Sequence, residues 1–421
     1  MADFFRFDDL TWPQVADLPR DIPLLLPLGT GYSEAGIEKQ LAFPPRIGLL
    51  PPFPFGWPGS GLEVPLPVLG AYLGNLLNSL REDGFTRVFT LTPPGFDLGL
   101  GDSQIKCQVS GVRYQESAPE TSHLTPDTSI PPVSEREKVI VLPIGHTEQH
   151  ALHLPLSVDT LIIEAIAEGA AKSAPNAAFS LAVMPYGVST HRDSFAGTMN
   201  TGGRAFEDFW LAVVDTLVAR GFDRFYLMSG HGGNVSFLVN VVKYTGDKHK
   251  RIFCATAWLH TSGATGVTAL EKYRESPIGG MGHACELETS MILALRPDLV
   301  HMDRVKDDID FIATPNYYMD WVEGGALVAN PPWDDDSRYG AYGAGSLGTA
   351  EKGQIWLNAA ITEKVEHIHE IHAQHRRREE RRRQGFGNWG IALTPAPRAH
   401  RVTDRHQPAE SGCPPADSRP G

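Results

Sequence analysis

One stretch, residues 138–159, constrains the fold of this chain more than any other. It begins with the uninterrupted apolar run VIVLPIG, which is typical of a strand buried on both faces. A polar loop, HTEQHALHLPLSVD, leads from this strand into a helical pattern at residues 160–172. Strand and helix in this order predict a parallel α/β fold, in which ligands bind at the carboxyl ends of the strands.

Composition sets limits on the class of protein. The 421 residues exceed the usual size of one hydrophobic core, so we expect two units or one large domain with additions. A hydrophobic fraction of 42% and a charged fraction of 21% are ordinary for a globular protein. No apolar run reaches the roughly 20 residues that span a bilayer, and a formal net charge of -13 repels nucleic acid.

Cysteine spacing and the amino terminus indicate an intracellular protein. The four cysteines have no paired spacing, which argues against a disulfide framework and a cysteine zinc cluster. The first residues, MADFFRFDDLTWPQ, lack the basic and apolar regions of a secretory signal. We therefore predict a cytoplasmic protein with free thiols, no nucleic-acid partner and no membrane partner.

Apolar periodicity divides the chain into four parts. Residues 1–100 alternate predicted strands (22–28, 46–50, 86–92) with a helix at 68–81, and residues 101–137 are a polar linker or surface excursion. Residues 138–384 form the predicted catalytic domain, and the Pro/Arg/Ser-rich residues 385–421 a disordered tail. The predicted elements of the catalytic domain are strands at 180–185, 224–228 and 252–258 and helices at 206–220, 286–295 and 350–383.

The first part resembles a shortened copy of the third. DGFTRVFTLTPPGF at 83–96 matches RGFDRFYLMSGHGG at 220–233, LPLGTGYSE at 26–34 matches LPIGHTEQH at 142–150, and FPFG at 53–56 matches MPYG at 184–187. In this register Tyr32 replaces Glu148, Glu34 replaces His150, and Pro94 replaces His231. We predict that the first copy is degenerate and binds no metal.

Imidazole and carboxylate groups occur at four places in the third part. Glu148 and His150 share one face of an extended segment, and Asp159 stands where the loop enters a helix. His231 lies in SGHGGN after a strand, and GHACELETS supplies a last group of His283, Glu286 and Glu288. Histidines and carboxylates in this number suit a pair of divalent ions with one bridging carboxylate and a hydroxide between them.

Together, GHTEQHALHLPLSVD, SGHGGN and GHACELETS resemble the three signature blocks of the creatininase (creatinine amidohydrolase) family, over residues 138–370. The resemblance implies creatininase-like αβα layers with a mostly parallel sheet, and two divalent metal ions, Zn or Mn with Fe possible in their place. It also implies metal ligands at Glu148, His150, Asp159 and His231, with Asp159 bridging. Family members form oligomers, often hexamers, so we expect homo-oligomers.

The remaining site residues are inferred from departures within the family. Creatininase itself has HYEN at the second block, where this chain has HGGN, and members with HGGN carry an extra Glu in the third block. We therefore prefer Glu286 as the fifth metal ligand and assign catalysis to His283 and Glu288, with Glu288 the alternative ligand. Ser189 and His191 match a substrate-contacting loop of the family.

The predicted function is hydrolysis of a C–N bond in a small amide, cyclic amide, lactam or formamide. Creatinine itself is disfavoured, because SPIGGMG precedes the third block in place of a Trp-Asp pair and offers no indole. Alternatives are a peptidase, as in the relative that matures mycofactocin, a cyclic-ketone hydrolase, and a non-catalytic metal-binding scaffold.

Singly, each residue has a simpler explanation. Asp159 is a good helix cap, His153 is better explained as structural, and Cys285 as a packing residue. GHGGN alone could be a glycine turn. The combination of the three blocks favours the metal site.

Overall fold

Two parallel sheets, built from consecutive halves of the chain, organise the fold. The computed structural model describes residues 1–99, 101–107, 130–190, 194–309, 312–322 and 324–386. Both sheets belong to one compact unit, Met1–Arg377, and Arg378–Gly421 forms a second unit. Among the described helices, none is long and apolar enough to cross a membrane.

The first sheet has five strands in the order β1-β3-β2-β4-β5, and every pair is parallel. Its elements, numbered in chain order, are β1 (Asp3–Arg6), α1 (Trp12–Ala16), β2 (Leu24–Pro27), α2 (Glu34–Gln40), β3 (Arg46–Leu49), α3 (Leu66–Glu82), β4 (Val88–Thr92) and β5 (Gln104–Lys106). The last strand lies within the predicted linker at 101–137, so the sheet extends past residue 100. Residues 108–129 of that linker are outside the described residues.

The second sheet has four parallel strands in the order β7-β6-β8-β9, and a short antiparallel pair, β10 and β11, lies apart from it. The elements are β6 (Val139–Ile144), α4 (Val158–Ser173), β7 (Ala178–Ser180), α5 (Gly203–Ala219), β8 (Arg224–Ser229), α6 (Val235–Lys248), β9 (Phe253–Thr256), α7 (Ala264–Tyr273), β10 (Met281–His283), α8 (Glu286–Leu295), α9 (Trp333–Asp336), β11 (Tyr342–Gly343) and α10 (Ala350–Arg383). Residues 387–421 of the predicted tail are not described.

Strand β6 shows why the second sheet is covered on both faces. Its residues are all buried, and successive side chains point to opposite sides. Ile140 and Leu142 pack in the core that contains α3 and α5, whereas Val139 and Val141 pack with α4, α8 and α10. The predicted α/β fold, with helical layers on both sides of a parallel sheet, is confirmed.

The two halves share one topology. The order β3-β2-β4-β5 in the first sheet corresponds to β7-β6-β8-β9 in the second, in the register found from the sequence. Parallel bridges join Leu28 to Phe53 and Ile144 to Met184, which are equivalent positions. At the carboxyl edge of the first sheet, the Tyr32 hydroxyl reaches the carbonyl oxygen of Leu28 at 2.6 Å, where the second half carries its metal-ligand candidates.

Equivalent residues of the two halves meet across the shared helical layer. Extending the sequence match without a gap pairs Tyr72 with Phe209, and these rings lie 4.7 Å apart. The Tyr72 hydroxyl donates to the carbonyl of Tyr186 at 2.7 Å, while Phe209 stacks on Phe55, the equivalent of Tyr186. Reciprocal contacts of this kind define a two-fold interface.

We propose that the first half is a degenerate copy that occupies the position of a partner subunit. The reciprocal contacts support this assignment, because a surface filled within one chain is no longer available to a second chain. Light scattering of the purified protein should give an assembly smaller than six chains. A plain hexamer would count against the proposal.

The first half also holds the loop that precedes Asp159. The carbonyl oxygen of Leu10 accepts a hydrogen bond from the Leu156 N–H at 2.9 Å, and that of Asp8 accepts one from Ser157 at 3.1 Å. Ser157 immediately precedes α4, which contains Asp159 in its first turn. The backbone position of Asp159 therefore depends on both halves of the chain.

Close helix packing generates a stability prediction. A Cβ at Gly353 of α10 would overlap the carbonyl oxygen of Ser290, whereas a Cβ at Gly74 of α3 would have no atom within 4 Å. We expect Gly353→Ala to lower the free energy of unfolding by about 1–3 kcal/mol through overpacking. The matched control Gly74→Ala should raise it by roughly 0.5–1 kcal/mol through helix propensity. Denaturant titration measures both, and a Gly353→Ala protein as stable as the wild type would contradict this packing.

Candidate metal centre

Buried histidines and carboxylates converge at the carboxyl edge of the second sheet. The loop after β6 supplies His146, Glu148 and His150. His231 lies just after the end of β8. Asp159 enters from the first turn of α4 and Glu288 from the first turn of α8. All these side chains are buried.

The first group of possible metal ligands contains Glu148, His231 and His146, whose donor atoms lie within 4.8 Å of one another. The Nδ1 atom of His231 is 3.0 Å from Oε1 of Glu148 and 3.2 Å from Oδ2 of Asp159. One imidazole thus faces two carboxylates.

The second group contains His150, Asp159 and Glu288, and a third combines Glu148, His150 and His283. The Nε2 atom of His150 is 3.3 Å from Oδ1 of Asp159 and 3.8 Å from Oε1 of Glu288. One oxygen of Asp159 faces His150 and the other faces His231, so its carboxylate lies between these two histidines.

Hydrogen bonds fix the orientation of three imidazoles. His231 donates from Nε2 to the carbonyl oxygen of Val188 at 2.9 Å. His150 donates from Nδ1 to the carbonyl oxygen of Glu148 at 3.1 Å. His283 donates from Nε2 to the backbone carbonyl oxygen of Gln149 at 2.7 Å. A carbonyl can only accept, so in each neutral ring the other nitrogen carries the lone pair. In all three rings that nitrogen faces a carboxylate, with His283 Nδ1 3.9 Å from Glu148.

This arrangement fits a divalent cation. A lone pair that faces a buried carboxylate is repulsive unless a proton or a metal ion lies between them. Burial alone lowers the pKa of His231, but Glu148 and Asp159 outweigh burial and raise it to about 9. Burial favours the neutral form of Asp159, yet His150 and His231 lower its pKa. Histidines that bind a metal through one ring nitrogen also characteristically donate a hydrogen bond from the other N–H to a carbonyl oxygen.

Asn234, in the predicted SGHGGN turn, ties the site loops together. Its Oδ1 atom accepts a hydrogen bond from the Val188 N–H at 2.9 Å, and its Nδ2 atom donates to the carbonyl of Gly145 at 3.2 Å. A Cβ at Gly187 would overlap the Asn234 side chain. The turn therefore sets the spacing between the loops after β6, β7 and β8.

Glu286, the predicted fifth ligand, is not a member of the ligand groups found among the described residues. Its carboxylate pairs with Lys352 Nζ at 2.7 Å and accepts a hydrogen bond from the Ser276 N–H at 2.8 Å, away from the ligand groups. Two residues along a helix correspond to a rotation of about 200°, so Glu286 and Glu288 point in nearly opposite directions. Glu288 is the third-block carboxylate whose oxygen lies within 4.8 Å of donor atoms of His150 and Asp159, so we propose it as a metal ligand in place of Glu286.

Other predicted residues have mixed outcomes. His283 lies at the centre, with its ring 4.2 Å from that of His150. Ser189 is fully buried next to Val188, and its hydroxyl has no hydrogen-bond partner. His191 is outside the described residues. His153 packs against Thr289 through a 2.9 Å hydrogen bond.

The thiol of Cys285 is poorly suited to act as a nucleophile. Cys285 is fully buried, and burial, followed by the charge of Glu288, raises the pKa of its thiol well above the usual range. The thiolate form is therefore disfavoured. This fits the packing role that the sequence predicts.

Sequence reasoning missed two residues. His146 alternates with Glu148 and His150 in one extended loop, and this spacing could have identified it. Trp333 lies in α9, 50 residues after His283, and its indole packs edge-on against the His283 ring with 5.5 Å between centroids. The expectation that no indole lies near the site is wrong, because helix α9, distant in sequence, supplies one.

Comparisons with known proteins agree with the three sequence blocks. The family model for creatininase, described as creatinine amidohydrolase, matches residues 127–368. The chain is 29% identical over 191 residues to creatinine amidohydrolase of Pseudomonas putida, covering 42% of this chain and 71% of that protein. It is 31% identical over 173 residues to the mycofactocin precursor peptide peptidase of Mycobacterium ulcerans, covering 39% of this chain and 62% of that protein. A solved structure of a mutant creatininase aligns with 57% of this chain and 93% of its own, at 24% identity and a TM-score of 0.49.

The two glutamates of α8 provide a matched test of the ligand set. Glu288→Gln should reduce bound metal by on the order of 10-fold or more, because it removes one anionic oxygen from the second group. Glu286→Gln should leave metal content unchanged and lower the melting temperature, because Lys352 loses a buried partner. Elemental analysis and thermal unfolding of both proteins measure these effects. Metal loss in Glu286→Gln alone would restore the original assignment.

Proposed function

Because this chain belongs to the creatininase family, we propose that it is a metal-dependent hydrolase that cleaves a C–N bond of a small amide. The observation that carries the proposal is the convergence of three imidazole lone pairs and three buried carboxylates at one sheet edge. A non-catalytic scaffold is disfavoured, because His283 adds a group that can move a proton beside the ligands.

We assign the cofactor as two divalent ions, Zn or Mn. Glu148, Asp159 and His231 would hold one ion, and His150, Asp159 and Glu288 the other. Such ions act as Lewis acids toward a carbonyl and lower the pKa of water to the neutral range. The imidazole and carboxylate donors suit both metals.

His283 is the residue we assign to proton transfer. The backbone carbonyl oxygen of Gln149 accepts a hydrogen bond from the Nε2–H of His283. Nδ1 is therefore the nitrogen that can accept and release a proton. In amide hydrolysis a C–O bond forms, the C–N bond breaks and the leaving nitrogen gains a proton. We propose that Nδ1 of His283 carries that proton from the attacking water to the nitrogen.

The substrate class is a small amide, cyclic amide, lactam or formamide. The Trp333 indole packs against His283 at the site. A flat ring such as creatinine is therefore no longer disfavoured by the lack of an indole. We also propose that Ser189 binds substrate, because its buried hydroxyl has no hydrogen-bond partner and it follows Val188, whose carbonyl contacts His231. The role of His191 and the cytoplasmic location stay predictions.

A peptide bond is the second candidate scissile bond. The chain is similar in nearly equal measure to an amidohydrolase and to a peptidase. Both substrates are amides, so the same groups serve either reaction.

Turnover assays on the purified chain test the proposed function. Cyclic amides, N-formyl compounds and short peptides would be screened with Zn or Mn present, and hydrolysis of at least one class is expected. Chelation should reduce that rate by roughly 100-fold or more, and added metal should restore it. Glu148→Gln is the control for adventitious hydrolysis and should be inactive. Turnover that survives chelation and Glu148→Gln would contradict the proposal, as would a wild-type chain without bound metal.

A further inference from the structure

His146 is a fourth histidine at the metal centre, and neither the metal nor the proton-transfer role above requires it. It is fully buried in the loop after β6. Its Nε2 atom is 3.9 Å from Oε2 of Glu148, and its ring lies 4.5 Å from that of His231 at an angle of 33°. His146 therefore borders the two side chains that, with Asp159, form the first metal position.

Its orientation is opposite to that of the other three imidazoles. The N–H of Gly187 donates to Nδ1 of His146 at 2.9 Å. A backbone N–H can only donate, so Nδ1 carries the lone pair and the neutral ring has its proton on Nε2. His146 thus directs an N–H toward the centre, where His150, His231 and His283 direct lone pairs.

This orientation argues against His146 as a metal ligand. Ligation through Nε2 would need the lone pair there and a proton on Nδ1, where the Gly187 N–H already points. The backbone around the ring is also held, because the carbonyl oxygen of His146 accepts a hydrogen bond from Thr160 at 3.1 Å. A donor fixed in this way can stabilise an anionic oxygen.

We propose that His146 is a positioning residue that donates a hydrogen bond from Nε2 to Oε2 of Glu148. The bond would keep Oε1 of Glu148 directed toward His231, and thus toward the first metal position. The present separation is about 1 Å longer than a hydrogen bond, a gap that rotation of the carboxylate can close. The inference rests on the proposed function, since it concerns how tightly the centre holds its metal.

Two substitutions distinguish the proposed Nε2–H donor of His146 from the hydrogen bond that its Nδ1 accepts from Gly187. His146→Asn keeps an acceptor for the Gly187 N–H but removes the donor at the Nε2 position. His146→Gln places an amide N–H near that position. The full chain would be loaded with Zn, and metal affinity measured by competition with a chelator. We expect His146→Asn to lower the affinity 10- to 100-fold and His146→Gln to stay within about 3-fold of the wild type.

The outcomes distinguish this inference from the proposed function. Wild-type affinity in His146→Asn, or equal losses in both variants, would overturn the positioning role. Thermal unfolding in excess Zn verifies that each variant is folded. If one variant does not fold, the affinity of the other is still compared with that of the wild type. Absence of metal from the wild-type chain would instead defeat the proposed function before any substitution is made.

Discussion

Burial of three carboxylates beside imidazole lone pairs is the constraint on which the rest of the structure depends. A carboxylate removed from water is costly unless a cation or strong hydrogen bonds compensate it. Glu148, Asp159 and Glu288 are all buried at one sheet edge, and the tautomers fixed by backbone carbonyls turn lone pairs toward them. A divalent ion held by these groups would replace this repulsion with attraction.

The architecture around the centre serves to hold these groups in place. Parallel strands bring their carboxyl ends to one edge, and the Asn234 side chain links the loops that follow them. The first half of the chain packs against the second half and hydrogen-bonds the segment before Asp159. If the first half is a degenerate copy, as we propose, it would still hold the backbone that positions Asp159 in the second half.

Much of the fold and part of the site could be predicted from the sequence. Long amphipathic helices and uninterrupted apolar strands have strong periodicities, which is why α8 and α10 were placed correctly. The side of α8 that Glu286 occupies could not be predicted, because family spacing gives no information on helix phase. Lys352, 66 residues away, pairs with that carboxylate. Trp333 was missed for a similar reason: its contact with His283 depends on tertiary packing of helix α9, distant in sequence, which local patterns do not encode.

We propose that the Asp159 carboxylate would bridge two metal positions. Anomalous X-ray diffraction from crystals of the Zn-loaded chain tests it most directly, because anomalous peaks locate each ion without reference to activity. We predict two peaks, one on each side of the Asp159 carboxylate, near His231 and near His150. A single ion that contacts only one of these histidines, or an ion bound elsewhere, would contradict the bridging arrangement.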